Sequence, residues 1–289
     1  MVALNNVDVE HVIGDTRDKN SIREAMRGCD TVFHTAAVVT YWKPKYPELM
    51  DVNVNGTQNV VEVCLEAGIE KLVHTSSVAA LGYRTDGQLI DETTQYNWAR
   101  TDGYRYSKHL SELAVLEGVS RSLNATIVNP SVIIGPRDAY VHGGQIVRDI
   151  KKGIIPAYVE GGMNIVGVKD VVAGHLAAAT KGRSGERYIL GGINLTHKEV
   201  FELAARVLNG RAPKIKAPTW GAKAIARTFD FIGTITRTQP WITSDLIAGI
   251  GKLNWYSIEK AKHELDYEPT SIEDSMKEAY EWYRGNNVL

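Results

Sequence analysis

Three short runs, Thr31–Ala37, Lys71–Ser77 and Ala125–Asn129, limit what this chain can fold into. Each has strand length, and each is divided from the next by residues with helical period. Glu48–Ala67 reads as a helix stopped by Gly68, a residue suited to the left-handed position after a helix end. A second amphipathic helix opens near Tyr104 and runs through Leu110, Leu113, Ala114 and Leu116. Strands alternating with helices of this length specify βαβ units, hence an α/β fold with a parallel sheet covered on both faces. Upstream, residues 7–14 (VDVEHVIG) alternate like a further strand. Asn20–Arg27 reads as a short helix with Ile22, Ala25 and Met26 on one side.

After Gly135-Pro136 the pattern changes. Helices are expected at 142–152 and 171–180, and short strands at 154–159, 165–168 and 187–190. The remainder reads as helices at 197–208, 219–234, 241–250, 257–264 and 271–284. The predicted organisation is a dinucleotide-binding unit over 1–134 and a smaller, mostly helical substrate-binding unit over 135–289, with 164–192 returning to the first. Trp220, Trp241, Trp255 and Trp282 fall in the second unit. They read as its core or as walls of an apolar substrate pocket.

Composition narrows the partners. The chain has 33 basic and 34 acidic residues, a net charge of −1, and no block of either sign. That balance argues against nucleic acid or an anionic membrane surface as the main partner. Cys29 and Cys64 lack metal or redox spacing and are expected to be reduced, buried thiols, which suits a cytoplasmic protein. No apolar run approaches the ~18 residues that a membrane span needs, and no His/Cys/Asp cluster suggests a metal. His34 is assigned to strand packing, while His74 and His142 show no partner in the sequence.

Within Thr101–Leu110, Tyr104 and Lys108 stand one helical turn apart on the same face. A free phenol ionises near ~10 and a free ammonium near ~10.4. Brought together, the cation favours the phenolate and draws the tyrosine towards acid/base use at neutral pH. Tyr-x-x-x-Lys is a short motif that chance supplies freely. Its weight comes from what accompanies it.

Those companions are Gly14-Asp15, HTAA at 34–37, Asn53 within DVNVNGTQNVVE, TSS at 75–77, NPSVIIGP at 129–136 and NIVGVKDVVAGH at 164–175. In this order, with Tyr104-x-x-x-Lys108, they resemble the extended short-chain dehydrogenase/reductase family across essentially the entire chain. The resemblance is nearest to the branch of dihydroflavonol reductases, 3β-hydroxysteroid dehydrogenases and hopanoid-associated sugar epimerase-like proteins, which GERYILGG (185–192) also resembles. It implies a Rossmann-like doubly wound sheet and NAD or NADP as cofactor. Tyr104 would exchange a proton with the substrate oxygen, and Lys108 would hold the nicotinamide ribose and lower the tyrosine's pKa. Ser77 would bind the same substrate oxygen, with Ser76 as the competing candidate. Asn53 would kink its helix and support a water relay to the lysine. Asp15 would contact adenine, Thr35, Ala36 and Ala37 would line the dinucleotide, and Pro130 with Ser131 would face the nicotinamide. A homodimer through the Asn53 and Tyr104 helices is also implied.

One departure from the family pattern is large. The opening strand, glycine-rich turn and helix that cradle a pyrophosphate have no counterpart here. About 45–55 residues, one βαβ unit, are expected to be lacking, and with them the position that separates NAD from NADP. Two smaller departures bear on substrate. Nucleotide-sugar members commonly carry arginines where Asn129 and Met163 stand and an asparagine at Val132. The dehydratase acid pair is replaced by Val78-Ala79-Ala80. Fewer charge-assisted contacts to a diphosphate remain.

The expected chemistry is therefore NAD(P)-dependent interconversion of a secondary alcohol and a ketone, on a weakly charged or apolar substrate. The alternatives are a nucleotide-sugar epimerase or dehydratase and a non-catalytic dinucleotide-binding protein or inactive fragment. Lacking the glycine-rich turn, the 289-residue chain is expected to bind dinucleotide weakly. Titration of the purified chain with reduced cofactor checks this, and tight stoichiometric binding would refute it.

Overall fold

The computed structural model describes residues 7–286. In chain order the elements are α1 (Lys19–Ala25), β1 (Thr31–His34), α2 (Tyr46–Leu49), α3 (Gly56–Ala67), β2 (Lys71–Thr75), α4 (Gly103–Ser120), β3 (Ala125–Pro130) and β4 (Val132–Ile134). They continue with α5 (Gln145–Lys152), β5 (Ala157–Val159), β6 (Gly162–Gly167), α6 (Val168–Lys181), β7 (Arg187–Leu190) and β8 (Ile193–Thr196). The last are α7 (His197–Leu208), β9 (Ile215–Ala217), α8 (Thr219–Thr236), α9 (Glu259–Leu265) and α10 (Ile272–Gly285).

The main sheet has the order β1-β2-β3-β7, and its neighbouring pairs are all parallel. Successive strand residues point to opposite faces, so each strand feeds two cores. Leu72 and Ile127 face one way, into a core with Val60, Val61, Cys64 and Val115 of α3 and α4. Val73 and Val128 face the other, packing with Val171 and Ala178 of α6 and with Ala261 and Leu265 of α9. Helices thus cover both faces, as the three apolar runs predict. A third core lies between the second sheet, β4-β6-β8, and α5, α7 and α10, around Ile134, Ile165, Val200, Met276 and Tyr283. β7 joins the main sheet beside β3, while β6 pairs with β4 and β8 instead.

Several expectations are corrected. Residues 7–14 form no strand, and Ile13 is 99 % exposed. A strand needs a neighbour to pair its backbone groups, and β1 is the outermost strand on its side of the sheet among the described residues. Residues 241–250 form turns rather than a helix. Their amides reach back three residues at Ala248 and Ile250, and the Thr243 hydroxyl takes the Leu246 amide. Such local caps compete with a continuous helix. Strands β8 and β9 were not legible, being short and paired at distance. Cys29 is exposed, whereas Cys64 is buried. Trp220 and Trp241 are exposed, at 75 % and 66 %, and so belong to no core.

The helix pair α3–α4 is drawn close by Gly118, where an added Cβ would stand 2.5 Å from Val61 Cγ1. Val61 is buried and β-branched, so it has little room to yield. On an exposed helix, glycine to alanine gains up to ~1 kcal/mol. Here the sign reverses. Gly118→Ala is expected to destabilise by roughly 1–3 kcal/mol, read as a lower urea midpoint at unchanged slope. A stabilised variant would contradict the close packing.

Candidate active site

The carboxyl ends of β1, β2 and β3 lie side by side, because the three strands are parallel and in register. That edge is where open α/β sheets bind ligands. The residues that follow the three strands are Thr35–Val38, Ser76-Ser77 and Ser131.

α4 delivers Tyr104 and Lys108 to this edge. Its first residue is Gly103, where the Tyr46 ring lies against the backbone, 2.4 Å from where a Cβ would be, and leaves no room for a side chain. The Tyr104 phenol, which is buried, faces the Ser77 side chain, whose polarity acts to lower its pKa. Ser77 is fixed in turn: its hydroxyl accepts from the Ala79 amide at 3.1 Å, and its carbonyl accepts from Asn129 Nδ2 at 2.9 Å. Lys108 Nζ donates to the Thr75 carbonyl at 2.9 Å. Ser76 turns elsewhere, donating to Glu112 at 2.6 Å, so of the two serines only Ser77 meets the phenol.

Asn53 acts on backbone. Its amide oxygen accepts from the Val38 amide at 2.8 Å, and its nitrogen donates to the Val38 carbonyl at 3.0 Å. The same nitrogen donates to Ser107 Oγ at 3.0 Å, which links α4 to the loop that follows β1. The helix gives way around it. Met50–Asn55 is a π-helical turn, closed by a bond from the Gly56 amide to the Asp51 carbonyl, five residues back. Such bulges are common at functional sites.

Burial sets the electrostatics. It raises the Tyr104 pKa, against the opposing effects of the Ser77 side chain and the charge of Arg105. The expected pull from Lys108 is not what governs the phenol here, since the ammonium is directed to the Thr75 carbonyl. Burial lowers Lys108 itself to about 8, and the carboxylate of Glu112 opposes the fall. Beneath it, the His34 and His74 rings lie 5.2 Å apart. Both are held neutral, first by burial and then by neighbouring positive charge, with His34 at about 4. His34 Nε2 bonds Thr57 and His74 Nε2 bonds Ser111, so His74 has a partner that the sequence did not reveal.

Glu112 is the residue that sequence reasoning missed. It lies four residues beyond Lys108 on the same face of α4, is buried, and binds Ser76, Asn129 (both 2.6 Å) and Arg187 (3.2 Å). The signal was present as a third polar group at helical spacing after Tyr104 and Lys108. The Asn129 nitrogen is accordingly engaged inside the protein, while its Oδ1 is buried without a partner among the described residues. An aromatic wall stands beside Tyr104. The Tyr41 ring is 5.3 Å from the Tyr104 ring, and Arg105 lies 4.5 Å over Trp98 while pairing with buried Asp102.

The implied cofactor residues divide in two. Thr35, Ala36 and Ala37 run from the end of β1 to the Val38 that Asn53 grips. Pro130 ends β3, and the Ser131 hydroxyl is buried without a partner among the described residues. An unpaired buried hydroxyl at a strand end fits a polar ligand. Asp15 takes no part in these contacts. It is exposed and bound by Arg17 at 2.5 Å, which lowers its carboxyl to about 2.

Comparison with known proteins gives the family of the chain. Residues 2–188 match the model of the 3-beta hydroxysteroid dehydrogenase/isomerase family. The chain belongs to that family. A putative dihydroflavonol 4-reductase of Synechocystis is 32 % identical over 292 residues, covering 99 % of this chain and 85 % of that protein. Sterol demethylase protein B of Methylococcus capsulatus is 31 % identical over 294 residues, covering 100 % and 89 %. The mouse sterol-4-alpha-carboxylate 3-dehydrogenase, decarboxylating, is 31 % identical, covering 95 % and 80 %. Among solved structures, gox2253 superposes with a TM-score of 0.84 at 35 % identity, covering 99 % of this chain and 88 % of that one. The fold is also that of a Streptomyces venezuelae dTDP-glucose 4,6-dehydratase, at a TM-score of 0.76 and 20 % identity. The 3-beta hydroxysteroid dehydrogenase/isomerase family consists of NAD(P)-dependent dehydrogenases and reductases, and this chain is an enzyme of that class.

Keeping an ammonium in this site costs stability. Unfolded Lys108 titrates near 10.5 and the folded residue at about 8. Between those values the folded chain binds fewer protons, so its stability rises with pH across the window. Lys108→Met is expected to stabilise the protein at pH 7 by on the order of 1–3 kcal/mol. The gain should be full below about pH 8 and fade towards pH 10.5. Denaturant unfolding at several pH values measures it, and a destabilised variant at pH 7 would show that the lysine is structural.

Proposed function

We propose that the chain catalyses NAD(P)-dependent oxidation of a secondary alcohol, or reduction of the ketone, on a largely apolar substrate. The observation that carries this reading is the buried Tyr104 phenol with the Ser77 side chain against it and Lys108 one turn below, its ammonium held by the Thr75 carbonyl. Ser77, locked by the Ala79 amide, orients the substrate oxygen, and Tyr104 gives it or takes from it a proton. Burial keeps the phenol protonated through neutral pH, which suits proton donation to a carbonyl and makes oxidation the direction that gains from raised pH. When bound, the nicotinamide supplies or accepts the hydride. Thr35, Ala36, Ala37, Pro130, Ser131 and Lys108 would hold it, and Asn53 fixes the loop on which the first three lie. Asp15 would join them only after leaving Arg17.

The aromatic wall of Tyr41 and Trp98 supports an apolar substrate, as does the pairing of Arg105 with Asp102, which leaves little net charge beside the tyrosine. The names of the sterol and flavonol relatives point the same way. Met163, where sugar-nucleotide enzymes commonly carry arginine, packs into the third core. The test is turnover of 3β-hydroxysteroids against UDP-glucose, assayed at saturating NAD(P)+ so that weak cofactor binding does not mask it. Tyr104→Phe is expected to lower kcat on the preferred alcohol by roughly 10²–10⁴-fold with little change in KM for the dinucleotide. Faster turnover of the sugar nucleotide, or indifference to Tyr104→Phe, would overturn the proposal.

A further inference from the structure

α8 is built inside out. At about 100° per residue, Trp220, Ile225, Phe231, Ile232 and Ile235 spread over roughly half of its circumference, and all five are exposed. Trp220 is 75 % exposed, and Phe231 and Ile235 are each 67 % exposed. The side turned to the protein carries small residues, with Ala226 and Gly233 buried. Gly233 lets Pro240 approach to 2.6 Å of where a Cβ would lie. A helix that served only to pack would place its large apolar groups inward. Trp241, just beyond the helix, extends the exposed apolar surface.

The charges have a pattern too. Lys223 and Arg227 follow one another along one edge of the apolar face, and Arg237 closes the helix. None of the three makes an ion pair among the described residues. The single acid of α8, Asp230, is half-buried and accepts the Ser244 amide at 3.0 Å. Broad apolar surface with Trp and Phe, bordered by cations, is the composition of a helix lying in a bilayer interface. No helix among the described residues is long and apolar enough to cross a membrane, so α8 would lie on the surface rather than span it.

We infer that α8 and Trp241 dock this protein onto an anionic lipid bilayer, with the five large apolar side chains in the acyl boundary and Lys223, Arg227 and Arg237 on headgroup phosphates. A second copy of the chain fits less well. Pairing α8 with itself would bring like cations together, with no exposed acid on the helix to answer them. The balanced net charge of the sequence argued against a membrane partner, but it averages over the whole chain, and the surplus is local. The docking stands on α8's own residues and not on the reaction proposed above.

The test is co-sedimentation of the purified protein with vesicles of phosphatidylcholine alone and of phosphatidylcholine with roughly one-third phosphatidylglycerol. Binding to the anionic vesicles is expected to be at least about tenfold tighter and to weaken with salt. Tryptophan emission should shift to the blue on binding, and Trp220→Ser should reduce the shift. The double variant Phe231→Ser with Ile235→Ser should lose at least about tenfold in affinity for both vesicles. Lys223→Glu with Arg227→Glu should abolish the preference for phosphatidylglycerol. All five positions are exposed, so the melting temperature should be unchanged, and that control separates lost docking from lost fold. Failure to bind either vesicle would overturn the inference, as would binding that neither double variant weakens. Self-association that Phe231→Ser with Ile235→Ser abolishes, without vesicle binding, would show the face to be a contact between copies instead.

Discussion

The site depends on a positive charge held where solvation cannot support it. Lys108 is buried and donates to one carbonyl, that of Thr75. Its charge is balanced four residues along the same helix face by Glu112, which is itself buried and carries Arg187 as a counter-ion. Burial raises the Glu112 pKa, while Arg187, Ser76 and Asn129 oppose the rise. Such a chain of buried groups is a poor way to gain stability. Its use is positional, because each member is bonded to a different strand end. Ser76 follows β2, Asn129 lies in β3, Arg187 begins β7, and α4 carries Glu112 and Lys108. The network therefore aligns helix and sheet where Tyr104 meets Ser77.

Neutral histidines below the lysine fit the same reasoning. A second cation near Lys108 would compound the cost of burying the first. His34 and His74 avoid it by staying uncharged, each with one hydroxyl partner. The unpaired Nδ1 of His74 is the remaining cost. His34 thus belongs to strand packing, as its place in β1 suggests, and its neutrality also protects the charge above it.

Much of the fold was legible because its elements are locally decided. Leu72-Val73 and Ile127-Val128 are apolar on both faces, which fits strands with helices above and below. Gly68, in a left-handed conformation, ends α3 where the sequence places the stop. Residues 7–14 alternate just as convincingly, yet alternation describes a surface and does not provide the neighbour that a ladder needs. Residues 241–250 fail for the opposite reason. Their pattern is helical, but their conformation is set by distant groups: Arg105 donates to the Asp245 carbonyl at 3.1 Å, and the Tyr46 hydroxyl bonds the Asp245 carboxylate. At the site, Tyr104, Lys108, Ser77 and Asn53 could be nominated from spacing and resemblance. Glu112 could not be distinguished from a surface glutamate until Asn129 and Arg187 were seen converging on it from other strands.

Asn53 shows how one side chain decides between two backbone geometries. A regular helix would satisfy every amide in the segment and leave the loop after β1 unsupported. The π-helical turn surrenders the regular pairing over Met50–Asn55 and releases Asn53 towards Val38, where it makes both of the bonds that a neighbouring strand would make. The cost is spread over one turn, and the gain falls on the backbone of Thr35, Ala36 and Ala37. Those residues have small side chains or exposed positions and make no side-chain hydrogen bond of their own among the described residues. Without the Asn53 side chain the loop would lose both of the bonds at Val38. The local irregularity is therefore part of how the strand ends are kept aligned, and the Asn53–Ser107 bond carries that alignment to the helix bearing Tyr104.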